Sequence, residues 1–312
     1  MKKPALTCFL TLTLLSTSSL AGDERTNENA GFIVEETIQL AKLGDDSLNR
    51  KKDSNKKWQS LNPKKLKLKS ASALVVDIYG NDVYAKDANN ARPIASITKL
   101  MTAMVTLDAK LPLDKKITIT KQDRDTIRGT GSRLKYGATL TRKEMISLAL
   151  MSSENRAAAA LGRTYPGGMQ AFITAMNNKA KSLGMKNSRF ADPVGLKSGN
   201  KASARDLVTM VQAALKYPLI RKATTTQKMT VYPYKGRGPL QYGNTNRLLK
   251  SKHWEIRLSK TGYIHEAGRC LTMQAEIARQ PLVIVLLNSY GKLTPTGDSN
   301  RIRKWIELGI KS

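Results

Sequence analysis

Ser96 and Lys99 stand three residues apart in Ser96-Ile97-Thr98-Lys99, shortly after Pro93 and at the head of an apolar run. On a helix that offset brings hydroxyl and amine to one face, within reach of each other. A serine hydroxyl is a weak nucleophile until an adjacent base takes its proton. A lysine can be that base only when burial or a neighbouring cation lowers its pKa. The tetrad alone says little, because Ser-x-x-Lys also begins at Ser54, Ser132, Ser198 and Ser289. Position separates Ser96 from these. A helix start surrounds its hydroxyl with free amides and the positive end of the helix dipole.

Two further clusters suit the same chemistry. Ser153-Glu154-Asn155 falls between two predicted helices, although Ser-x-Asn recurs at Ser47, Ser60 and Ser198. Lys260-Thr261-Gly262 is the only Lys-Thr-Gly in the chain and ends a predicted strand, whereas Lys197-Ser198-Gly199 lies in a predicted loop. Lys260 there would supply the neighbouring cation and bind a substrate carboxylate. Thr261 would add a hydrogen bond, and Gly262 would let substrate backbone come close.

The elements that must hold these groups follow from pattern. Ala73–Ile78, the turn Gly80-Asn81-Asp82 and Val83–Ala85 predict a hairpin. After Pro93, Leu100, Ala103, Met104 and Leu107 share one helical face, ending before Pro112. Thr141 with Glu144 forms a capping box for a helix to about Met151. Helices from Asn155 to Gly162 and from Met169 to Leu183 come next, then a loop from Phe190 to Gly199. Ser203 with Asp206 opens another capped helix, to about Tyr217. Beyond Pro218 the pattern turns strand-like, with strands at Ile256–Lys260, Cys270–Ile277 and Leu282–Leu287 and a last helix at Ser299–Leu308. Strands, helices, then antiparallel strands make an α+β chain with segregated elements.

Composition narrows the setting. Among 312 residues, 53 Lys plus Arg oppose 24 Asp plus Glu, a formal charge of +29 that favours polyanionic partners. Lys2 and Lys3, the apolar run Ala5–Leu15 and Ser19-Leu20-Ala21 predict a secretory signal over residues 1–21. The run is too short to span a bilayer comfortably. Residues 22–70 are polar and rich in lysine and are read as a flexible basic leader, apart from a short amphipathic helix over Phe32–Leu43. Without the signal, Cys270 is the one remaining cysteine, so no internal disulfide is available. With only His253 and His265 present, a zinc site of clustered His and Cys is excluded. Four Phe and three Trp without aromatic–basic alternation argue against nucleic acid.

Taken together, Ser-x-x-Lys on a helix start, Ser-x-Asn between helices and Lys-Thr-Gly on a late strand resemble the signatures of penicillin-binding proteins and serine β-lactamases. The surrounding stretches Arg92–Met104, Leu150–Ala158, Phe190–Leu196, Ser203–Leu207 and Lys260–Tyr263 are similar to low-molecular-mass D-alanyl-D-alanine peptidases, in particular to soluble D,D-endopeptidases of the Gram-negative periplasm. The resemblance runs from about Ala71 to Leu308, making residues 71–312 the catalytic domain. It implies a β-lactamase/transpeptidase-like fold, an antiparallel sheet flanked by helices beside an all-helical lobe. It also implies Ser96 as nucleophile, Lys99 as base, Ser153 as proton relay, Asn155 as holder of the substrate amide, and the amides of Ser96 and Tyr263 around the oxyanion. No cofactor or metal is implied. The partners implied are peptidoglycan and β-lactams as inhibitors, with at most peripheral attachment to membrane or wall. A β-lactamase of class A type would want a catalytic glutamate between the second and third elements, and only Glu255 lies there, in no loop motif. Only 50 residues follow Gly262, enough for two strands and a closing helix, which favours an endopeptidase over a membrane-associated carboxypeptidase. Cys270 is read as a buried structural thiol, His265 as a surface turn residue and Asp192 as a turn or cap.

Overall fold

Continuous apolar stretches such as Ala73-Leu74-Val75-Val76 and Leu282–Leu287 suit strands covered on both faces, because alternate side chains must then both be apolar. The computed structural model describes residues 52–310 and builds such a sheet. A helix α1 (residues 52–59) leads to the hairpin β1 (Ser72–Asp77) and β2 (Asp82–Lys86). A short β3 (Arg92–Pro93) precedes α2 (Thr98–Asp108). The helical lobe then carries the pair β4 (Lys116–Thr118) and β5 (Thr139–Thr141), with α3 (Arg142–Met151), α4 (Asn155–Arg163) and α5 (Gly168–Ser182). β6 (Lys201–Ala202) pairs with β3 and is followed by α6 (Ala204–Ala214) and α7 (Pro218–Thr225). A small hairpin, β7 (Lys228–Val231) with β8 (Leu240–Gly243), leads into β9 (Glu255–Ile264), β10 (Gly268–Ile277), β11 (Gln280–Ser289) and α8 (Thr294–Ile310).

The main sheet is antiparallel with order β2-β1-β11-β10-β9, so the first hairpin closes onto the last strand and β9 lies at an edge. Register places Ser72 opposite Leu287 and Thr272 opposite Lys260. Alternation divides the interior into two cores. Leu74, Val76, Val283, Val285 and Leu287 face the helical lobe, while Ala73, Val75, Leu282, Ile284 and Leu286 face Trp58, Ile302 and Ile306. The expected α+β class with an antiparallel sheet and a helical lobe is the fold observed.

Several expectations need correction. Residues 52–70 are not leader. Trp58, Leu61, Leu66 and Leu68 are buried in the second core, and Trp58 Nε1 donates to Asp77 Oδ2 at 2.7 Å. Asp298 accepts from the Ser70 amide at 2.7 Å, tying this segment to α8. The many lysines concealed an alternation, Leu66-Lys67-Leu68-Lys69-Ser70, whose first, third and fifth members point inward. The residues after Pro218 form a helix, because proline suits a first helical position where no amide donor is needed. Helix α2 is buried from Thr98 to Thr106 on every side, not on one face. Ser203 caps α6, but Asp206 accepts from the Asn187 amide and the Ser188 hydroxyl instead of closing the box. The expected signal over 1–21 and helix over Phe32–Leu43 lie outside the described residues.

Candidate active site

Ser96 lies in a 3-10 turn, Ala95–Ile97, that leads into α2. Ala95 just before it has φ 48°, and Ser153 on the facing loop has φ 60°. Both are non-glycine residues in the left-handed region, a strained conformation held only where the surroundings fix it. The surroundings here are tight. A Cβ on Gly195, itself at φ +87°, would sit 2.0 Å from the Ala95 carbonyl oxygen, and one on Gly262 would sit 2.8 Å from that of Ile94 and 3.0 Å from the Ser96 amide. Glycine at 262 therefore serves close packing of β9 against the nucleophile turn.

Lys99 is 0% exposed, and its Nζ donates to Ser96 Oγ at 2.8 Å, Asn155 Oδ1 at 2.9 Å and the Val194 carbonyl at 2.7 Å. Burial pushes its pKa down to about 7, although Asp192 and Glu154 pull the other way. The amine is thus neutral in a large fraction of molecules near neutral pH and can accept the serine proton. Lys260 is 1% exposed and donates to Ser153 Oγ at 3.1 Å and to its neighbour's carbonyl, Thr261 O, at 2.8 Å. Burial, and then the charge on Lys99, push Lys260 well below the ordinary lysine range. Burial lowers both amines, and their closeness opposes a charge on both at once.

Ser153 and Asn155 flank the start of α4, which Glu154 caps by accepting from the Arg156 amide. Asn155 is engaged at both ends, its Nδ2 donating to Thr130 Oγ1 at 2.8 Å. Thr130 in turn donates to Asp125 Oδ2 at 2.7 Å, and Asp125 also accepts the amides of Ile127, Arg128 and Thr130. Burial opposes the charge on Asp125, but these bonds outweigh it and hold its pKa at about 2. A polar chain thus runs Asp125–Thr130–Asn155–Lys99–Ser96. Sequence reasoning missed its first two members, since an isolated Asp and Thr in a loop carry no spacing signal.

Asp192 organises the opposite wall. Its carboxylate accepts the amides of Val194 and Gly195, both at 2.6 Å, that of Lys197 at 2.8 Å, and Asn200 Nδ2 at 2.7 Å. This aims the Val194 carbonyl at Lys99, so the reading of Asp192 as a loop cap matches its geometry. Cys270 is buried, and burial raises its thiol to about 11, which keeps it unreactive. His265 is exposed in the turn after β9. Of the expected site residues, Ser96, Ser153, Asn155, Thr261, Gly262 and Tyr263 line one cleft of about 330 Å³, with Lys99 and Lys260 immediately behind it. Thr261 Oγ1 donates to Thr245 Oγ1 at 2.7 Å, which adds Thr245 to the wall. Among the described residues no cluster of His, Cys, Asp and Glu is arranged to hold a metal ion.

Comparison with known proteins agrees with this geometry. A D-alanyl-D-alanine endopeptidase of Pseudomonas aeruginosa is 47% identical over 248 residues, covering 79% of this chain and 80% of that protein. The crystal structure of the Streptomyces K15 DD-transpeptidase superposes with a TM-score of 0.72 at 27% identity, covering 78% of this chain and 98% of the other. Penicillin-binding protein D2 of Listeria monocytogenes, in a cefotaxime-bound form, superposes with a TM-score of 0.67 at 28% identity, covering 78% and 98%. The family model described as D-alanyl-D-alanine carboxypeptidase matches residues 59–291. With its serine, two buried amines and cleft arranged as above, the chain belongs to that family of serine peptidases.

Proposed function

We propose that this protein is a serine D,D-endopeptidase that hydrolyses the D-alanyl amide cross-links of peptidoglycan through an acyl-enzyme on Ser96. The observation that carries the proposal is the buried amine of Lys99, 2.8 Å from Ser96 Oγ and with its pKa lowered by burial to about 7. In its neutral form this amine keeps its two N–H bonds to Asn155 Oδ1 and the Val194 carbonyl and turns its lone pair to the Ser96 proton. Lys99 takes the hydroxyl proton as Ser96 Oγ bonds to the carbonyl carbon. The resulting oxyanion is met by the amides of Ser96 and Tyr263, each such donor contributing about 3 kcal/mol. Ser153, hydrogen-bonded to Lys260, passes a proton to the departing amine as the C–N bond breaks and is resupplied with the proton that Lys99 took from Ser96, which returns Lys99 to its neutral form. Water then attacks the ester, and Lys99 again accepts the proton. β9 lies at the sheet edge along the cleft, where an extended substrate can pair with it.

The endopeptidase reading is supported by the name of the Pseudomonas aeruginosa relative. The family description favours the alternative, removal of a terminal D-alanine as a carboxypeptidase. Cleavage of cross-linked dimeric muropeptides and of a monomeric pentapeptide, by the wild type and by Ser96→Ala, separates the two. The proposal expects dimers converted to monomers only when Ser96 is present. Release of terminal D-alanine with dimers left intact would contradict it.

The same reading has β-lactams acylate Ser96 and hold it, as the cefotaxime-bound relative suggests. Rapid turnover of penicillin by the pure protein would contradict slow deacylation. It also locates the enzyme in the periplasm, where cross-linked wall lies, with Lys2, Lys3, Ala5–Leu15 and Ser19-Leu20-Ala21 as the export signal. Detection of the protein in the cytoplasmic fraction alone would contradict that location.

A further inference from the structure

The cleft continues past Thr261, and its far wall has a character of its own. Arg247, Arg269 and Lys292 all line it, and no Asp or Glu does. Among the described residues none of these three cations has a salt-bridge partner. Nearby arginines are paired, for example Arg128 with Glu266 at 2.7 Å. Arg269 is half-buried and its guanidinium lies 4.0 Å from the centre of the Tyr263 ring, a stack that fixes its plane while leaving its N–H groups free. Arg247 rises from a rigid base. Asn244 Nδ2 donates to the carbonyls of Thr224 and Thr226, and the Thr245 amide donates to the Met151 carbonyl at 3.1 Å.

Asn246 holds the base of that wall, its Oδ1 accepting from the Leu248 amide at 3.1 Å. Three cations without a carboxylate partner lining one cleft suit an anionic group. Lys260 is a poor candidate for the whole of that task, because it sits behind Ser153 and outside the lining of the cleft.

We infer that Arg247, Arg269 and Lys292 form a second anion subsite that grips carboxylates on the departing peptide strand. This inference rests on the endopeptidase reading for the identity of that strand. When a cross-link is cut the leaving amine belongs to a peptide that bears carboxylates beyond the residue at the scissile bond. When a terminal D-alanine is removed the leaving group carries a single carboxylate. A subsite beyond Thr261 therefore favours cross-linked substrate over monomer by a binding difference, without any change in the reacting groups.

The test is equilibrium binding to the full chain carrying Ser96→Ala, which binds substrate without turnover. The probes are a cross-linked peptide dimer with free carboxylates on its leaving strand and the same dimer with those carboxylates amidated. The free-carboxylate dimer is expected to bind about tenfold more tightly, with an advantage that shrinks as salt is raised. Adding Arg247→Gln or Lys292→Gln should remove most of that advantage, and Arg247→Lys should retain much of it. Thermal melting checks that each variant is folded. Equal affinity for the two dimers, or equal weakening of both by the glutamine variants, would overturn the inference. A dimer that binds with this preference but is left uncut by the wild type would support the subsite and overturn the endopeptidase reading instead.

Discussion

At Lys99 the amine has three acceptors and no carboxylate in contact, so the loss of water around its charged form outweighs the opposing pull of Asp192 and Glu154. The base is the deprotonated amine. The rate of penicillin acylation should therefore rise with pH, gaining about tenfold per unit below pH 7 and levelling above it, as an amine lowered to about 7 requires. A profile that falls through this range would contradict Lys99 as base. The same depression affects stability with a defined sign. The unfolded chain binds the proton more tightly between about 7 and 10.5, so this group alone makes folding more favourable as pH rises through that window. Gly262→Ala should slow acylation by about tenfold or more, because its Cβ would press on the Ser96 amide and the Ile94 carbonyl. An acylation rate equal to wild type would show that the nucleophile turn yields. At this scale the sequence was informative where spacing encodes chemistry, as for Ser96 with Lys99 and for Lys260 with Thr261. It was silent on Thr130 and Thr245, whose places in the site come from partners distant in the chain.

The loop Phe190–Gly199 shows how one side chain sets an element. Asp192 satisfies four close donors, so Asp192→Ala strands several buried amides at about 1–3 kcal/mol each. The expected outcome is a lower melting temperature together with slower acylation, since the Val194 carbonyl loses its aim at Lys99. Asn at 192 should recover part of both, and an unchanged acylation rate in Asp192→Ala would separate the loop from the site. Helices and strands with local signals were readable: the Thr141–Glu144 capping box starts α3 as expected, and Gly80-Asn81-Asp82 turns the first hairpin. Helix α7 was not. Its eight residues begin with Pro218, and a proline reads equally as a stop for one helix or the first residue of another.

Both faces of the sheet are covered, and the second core depends on residues 52–70 as much as on α8. Trp58 is the largest anchor in that segment, and Trp58→Ala should destabilise the protein by about 3–5 kcal/mol, measured by denaturant unfolding. A loss under about 1 kcal/mol would mean that residues 52–70 add little to the folded domain. The overall class was legible because β1, β10 and β11 are apolar enough to require burial on both sides. The start of the domain was not, because eight lysines between positions 51 and 69 made a packed segment look like a solvated one. Long side chains of that kind can lie on the surface while the leucines between them turn inward.

The account depends most on a hydroxyl at position 96 activated by the buried amine of Lys99. The direct measurement is mass mapping of the peptide modified when the folded protein reacts with a β-lactam. The adduct should sit on Ser96 at one per molecule, and Lys99→Ala should nearly abolish it while preserving the fold. An adduct on any other residue, or undiminished labelling of Lys99→Ala, would contradict the account.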